Sequence, residues 1–100
     1  MQARRLIAAC AALAALTAVA TTPTRAVTCA DRQVQARGEP ARFEVLAKAI
    51  ARGNWRAQVR AMPAFGPPYA NWSKALDADY RCVNADGQHT CTAVARPCRE

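Results

Sequence analysis

Residues Tyr80 to Val94, YRCVNADGQHTCTAV, decide the fold. Asp86-Gly87 sits between two short runs, and an Asp-Gly pair in that setting is the strongest local sign of a two-residue hairpin turn. The turn sets the pairing register, because strand side chains alternate between faces with a period of two. Ala85 then faces Gln88, Asn84 faces His89, Val83 faces Thr90 and Cys82 faces Cys91. The cysteines fall on a non-hydrogen-bonded pair, where Cα atoms approach to about 4.5 Å. Cα atoms joined by a disulfide usually lie about 4.4–6.8 Å apart, close to that approach. Tyr80, Cys82, Cys91, Ala93 and Ala95 share one side of this hairpin, the expected core face.

Pairing Cys82 with Cys91 leaves Cys29 for Cys98, a link between the two ends of the domain. The fifth cysteine, Cys10, lies in an N-terminal leader. Met1 to Arg5 hold two arginines and no acid, Leu6 to Ala20 are almost wholly apolar, and small residues follow at Ala18-Val19-Ala20 and Thr24-Arg25-Ala26. A basic start, an apolar run and an A-x-A-like exit form a secretory signal peptide, expected over residues 1–26 with cleavage after Ala20 or Ala26. The apolar run, roughly 15 residues, falls short of the about 20 that a membrane span needs. Ile7-Ala8-Ala9-Cys10 resembles a lipobox, yet only four apolar residues precede the cysteine, fewer than export requires. Export to the periplasm or the exterior makes an even set of four cysteines read as two disulfides. The 74 residues left after the leader make one small domain, a size at which core burial alone is marginal and a staple is the usual remedy.

Residues 27–38 read as a mostly irregular N-terminal arm and 39–100 as a single α+β domain. Glu39-Pro40 opens a helix, since proline suits the first helical position and acidic Glu39 and Glu44 suit the positive end of the helix dipole. Phe43, Leu46, Ala47 and Ile50 recur at i, i+3, i+4 and i+7 as its apolar stripe. Gly53-Asn54 stops or kinks it. Residues 55–62 fit two patterns. Trp55, Ala57, Val59 and Ala61 alternate as in a strand, whereas Trp55, Val59 and Met62 fall at helical spacing. Helix-forming composition and Asn54 as a cap favour a second helical segment. Pro63, Gly66, Pro67 and Pro68 interrupt regular structure. Tyr69 to Leu76 is a first strand or a short helical turn, and Asp77-Ala78-Asp79 is a turn.

The second half resembles a set of small exported bacterial proteins of unknown function. Their pattern is W-x3-V, then G-x2-Y-A-x-W-x2-A, then two cysteines and a closing C-x3-A-x-P-C. Here it falls on Trp55 and Val59; Gly66, Tyr69, Ala70, Trp72 and Ala75; Cys82; and Cys91, Ala95, Pro97 and Cys98. Pro63-Ala64-Phe65 before the glycine and a second proline after it depart from the pattern. The resemblance implies a helix packed on a three-stranded antiparallel meander, in outline similar to a double-stranded-RNA-binding domain, and it implies no activity.

Chemistry-bearing residues are few. Cys82, His89, Cys91 and Cys98 could in principle hold zinc, but their spacing fits no common zinc motif and an oxidising compartment favours disulfides. Ser73, His89 and one of Asp77, Asp79 or Asp86 could form a nucleophilic set, yet no G-x-S-x-G elbow surrounds Ser73. His89 reads as a solvated turn histidine, and Trp55 and Trp72 as core anchors rather than a ligand platform. The mature chain carries eleven basic and seven acidic residues, a balance of +4. Arg52, Arg56 and Arg60, at i, i+4 and i+8, form one cationic stripe if residues 50–62 are helical. Like charges at that spacing cost helix stability.

The expectation is an exported module with no catalytic residue, cofactor or metal. Its partner would be an anionic envelope component or an acidic protein met by Arg52, Arg56 and Arg60. No nucleic acid is expected, since export removes the protein from most of it. The alternatives are a small envelope hydrolase or hydrolase accessory using His89 and a nearby carboxylate, or a purely structural envelope protein.

Overall fold

A computed structural model describes residues 27–100. The expected leader, its cleavage sites and Cys10 lie outside the described residues. Two short strands open the described residues, β1 (Thr28–Cys29) and β2 (Val34–Arg37), followed by an 18-residue helix, α1 (Glu44–Ala61). Two 3₁₀ turns, Pro67–Tyr69 and Trp72–Lys74, lead into β3 (Leu76–Ala85), β4 (Gln88–Arg96) and β5 (Cys98–Arg99). The strands form two antiparallel sheets, β2-β4-β3 and the small β1-β5. The chain is α+β and stapled by two disulfides, as expected.

The hairpin has the register read from Asp86-Gly87, with Ala85 opposite Gln88, Asn84 opposite His89, Val83 opposite Thr90 and Cys82 opposite Cys91. Both turn residues take positive φ, 55° at Asp86 and 75° at Gly87, as a type I′ turn requires. Cys82–Cys91 and Cys29–Cys98 are bonded, each with a Cα separation of 4.0 Å.

Several expectations need correction. Residues 27–38 are not a mostly irregular arm. Val34–Arg37 forms the third strand of the main sheet, pairing Val34 with Ala95 and Arg37 with Thr92. The sheet is therefore not a consecutive meander, because its third strand precedes the helix and the last long strand, β4, is central. Four residues with a partner some sixty positions away leave little local signal. The helix opens at Glu44, not at Glu39-Pro40. Ala41 is held extended against the hairpin, donating its N–H to His89 O at 2.8 Å and accepting the His89 N–H at 2.7 Å. That bridge keeps residues 39–43 out of the helix. Gly53-Asn54 does not stop α1, which continues through Ala61, so residues 55–61 take the helical alternative. Asp77-Ala78 is not a turn but a bulge within β3: the register passes from Leu76–Arg96 to Asp79–Val94, leaving two residues opposite one. Asp77 takes φ 55° there. The Tyr69 to Leu76 stretch takes the helical alternative: the first 3₁₀ turn ends at Tyr69, the second holds Trp72–Lys74, and Leu76 already belongs to β3.

The stripe that α1 buries is Ala47, Ala51, Trp55 and Val59, not the expected set: Ala47 is inside and Ile50 half-buried, but Phe43 and Leu46 are exposed. The two alanines let the helix lie close over β2 and β4, against Val34, Ala36, Cys91, Ala93 and Ala95. Gly38 allows the same approach: a Cβ there would stand 2.9 Å from Ala51 N. Trp55 is fully buried and donates its indole N–H to Val34 O at 3.1 Å. Asn54 donates from its side chain to Arg37 O at 2.9 Å. Both bonds tie the helix to β2.

Candidate functional site

The flank of α1 that faces β3 carries the basic residues singled out in the sequence. Arg52 and Arg56 are half-buried and Arg60 is exposed. The three share a helix flank but not a single role. Arg52 reaches across to β3, where its guanidinium donates to the Tyr80 hydroxyl at 3.0 Å. Lys48, one turn earlier, places its ammonium 5.7 Å from the centre of the Tyr80 ring and pairs with Glu44 at 3.1 Å. A cation over a ring face is attracted by the ring quadrupole.

The aromatic side of this flank is continuous. Trp55 meets Trp72 edge to face, with centroids 5.1 Å apart and planes at 82°. Trp72 then packs on Tyr80 at 5.2 Å and 34°. Trp55 is the core anchor expected of it. Trp72 is half-buried, so the row runs from the core to the surface and ends beneath Lys48 and Arg52. The second 3₁₀ turn delivers Trp72, and its cap is local: the Asn71 side chain accepts from Ser73 N at 3.1 Å. Tyr80 and Lys48 were absent from the sequence-derived site. Arg52 and Tyr80 lie 28 positions apart, and no local pattern joins them.

The residues considered for catalysis or metal are dispersed. Cys82, Cys91 and Cys98 are consumed in disulfides, so they offer no thiolate beside His89. Among the described residues, no group of three or more His, Cys, Asp or Glu is placed to hold a metal ion. Ser73 donates its hydroxyl to Asn71 Oδ1 at 2.7 Å. Asp77 lies 3.9 Å from Arg96, and Asp86 is in the hairpin turn. His89 is not the solvated turn residue expected. The bridge to Ala41 draws it under the start of α1, where Nδ1 is buried without a hydrogen-bond partner and stands 3.9 Å from Glu44 Oε1.

A second cation–aromatic group lies near the Cys29–Cys98 end. Phe65 and Tyr69 pack at 5.1 Å, with Arg32 6.0 Å from the Phe65 centroid and Arg99 5.9 Å from that of Tyr69. No protein-family model, curated protein or solved structure matches the chain. Two disulfides fit a protein that works outside the reducing cytoplasm. Among the described residues, no helix is long and apolar enough to cross a membrane.

Proposed function

We propose that this chain is an exported, non-catalytic binding module that holds an anionic component of the cell envelope, in the periplasm or outside the cell. One observation carries the reading: Lys48, Arg52, Arg56 and Arg60 lie along one helix, and the first two meet Tyr80, which packs on Trp72. Like charges four residues apart destabilise an isolated helix, and here only Lys48 has an acidic neighbour on α1, Glu44. A polyanion laid along this flank relieves that repulsion and gains aromatic contact as well. The resemblance of the second half to small exported bacterial proteins adds support for export and carries no activity.

The test is a titration with lipopolysaccharide and with a soluble anionic cell-wall polymer. Wild type is expected to bind both, more weakly as salt rises, because exposed charges are screened. R56Q/R60Q, which leaves the Arg52–Tyr80 bond intact, is expected to bind about 30-fold more weakly, from about 1 kcal/mol per basic residue at an anionic surface. Unchanged binding by R52Q/R56Q/R60Q sinks the reading. The hydrolase alternative rests on His89 beside Glu44; His89→Ala is expected to leave polymer binding intact. Intact mass of the exported protein, with a start at Thr21 or Val27, tests the leader.

A further inference from the structure

The solvent side of α1 carries an apolar feature that the cationic flank does not explain. Phe43, Val45 and Leu46, within four consecutive positions at the start of the helix, are 63%, 77% and 49% exposed. Phe43 occupies the N-cap and makes no side-chain capping bond, at a position where Ser, Thr, Asp or Asn stabilises a helix. The same helix carries Lys48, Arg52, Arg56 and Arg60 against one acid, Glu44, with exposed Arg42 just ahead of it. The apolar stripe of α1 is buried on the sheet, but exposed apolar side chains at its start, with cations along the same helix, suit a lipid interface, where apolar groups sit among the acyl chains and charges at the headgroups. The charge rules against a second copy as the occupant, since two such flanks repel.

We infer that the first turn of α1 is a membrane-docking wedge: Phe43, Val45 and Leu46 enter the interface of an anionic lipid bilayer while Arg56 and Arg60 meet its headgroups. The inference rests on the proposed anionic partner and names its source as lipid. The wedge needs no new fold, because its residues are already exposed, and it needs no spanning segment.

Co-sedimentation of the oxidised protein with phosphatidylglycerol/phosphatidylethanolamine vesicles, with phosphatidylcholine vesicles and with a soluble anionic cell-wall polymer tests it. Wild type is expected on the anionic vesicles and the polymer, not on phosphatidylcholine alone. F43S/V45S/L46S is expected to bind the anionic vesicles at least about 10-fold more weakly, from the apolar burial lost, and the polymer as tightly as wild type. Circular dichroism checks that the variant is folded. Unchanged vesicle binding by that variant overturns the wedge and leaves the polyanion reading standing. Polymer binding by wild type without vesicle binding does the same. Binding to neither overturns both. A concentration-dependent dimer in sedimentation equilibrium, abolished by F43S/V45S/L46S, assigns the patch to a second copy and overturns the lipid assignment.

Discussion

Gly38 shows how a single missing Cβ decides packing. It lies just after β2 and directly against α1, where an added methyl would come within 2.9 Å of Ala51 N and 3.0 Å of Ile50 Cγ2. The first of these is backbone in a helix and cannot turn aside. Gly38→Ala is therefore expected to destabilise the protein by about 1–3 kcal/mol, the usual cost of overpacking, measured by urea unfolding; a change below about 0.5 kcal/mol, typical of unconstrained surface sites, would show that the helix can move away. No local pattern signals this contact, because Arg37-Gly38 reads as the end of an arm until Ile50 and Ala51 are placed over it. Trp55 was legible, since a small core needs a large side chain, but its bond to Val34 O was not. That bond depends on a strand too short to recognise.

At the scale of elements, the hairpin and the helix differ in how much they explain themselves. Asp86-Gly87 sets the pairing from Ala85–Gln88 to Cys82–Cys91, which could be drawn from the sequence, whereas the bulge at Asp77-Ala78 that carries β3 back to Leu76 reads as a turn. The helix could not be bounded in the same way. Its start is set by Ala41 pairing with His89, a contact between residues 48 positions apart, and its passage through Gly53 by burial on either side, at Ala51 and Trp55. Its buried stripe was hard to see because two of its four members are alanine, and apolar periodicity is weighted toward large side chains. An uncapped start makes a prediction. Phe43→Asp supplies a side-chain acceptor for the first free N–H groups and a negative charge at the positive end of the dipole. It is expected to raise stability by about 1 kcal/mol, read as a higher thermal midpoint, while weakening vesicle binding. A lower midpoint would show that Phe43 contributes packing its exposure does not reveal.

Across the whole molecule, two disulfides act on loops of very different size. Cys29–Cys98 spans 69 positions and Cys82–Cys91 only 9. Chain-entropy reasoning gives about 4 kcal/mol for the first and under about 3 kcal/mol for the second. C29A/C98A is expected to lower stability more than C82A/C91A in denaturant melts, and the reverse order would place the hairpin bridge in control of the core. The sheet order has a different consequence. β2 and β3 do not touch each other; each pairs only with β4. During synthesis β4 is the strand that both β2 and β3 wait for, and Cys98 follows it. Until residues 88–98 have emerged, the chain has no sheet to close and no end-to-end bond to form. The order of the strands thus puts closure late: β2 and β3 stay unpaired until β4 is made, and the sheet then forms around the one strand that its two neighbours share.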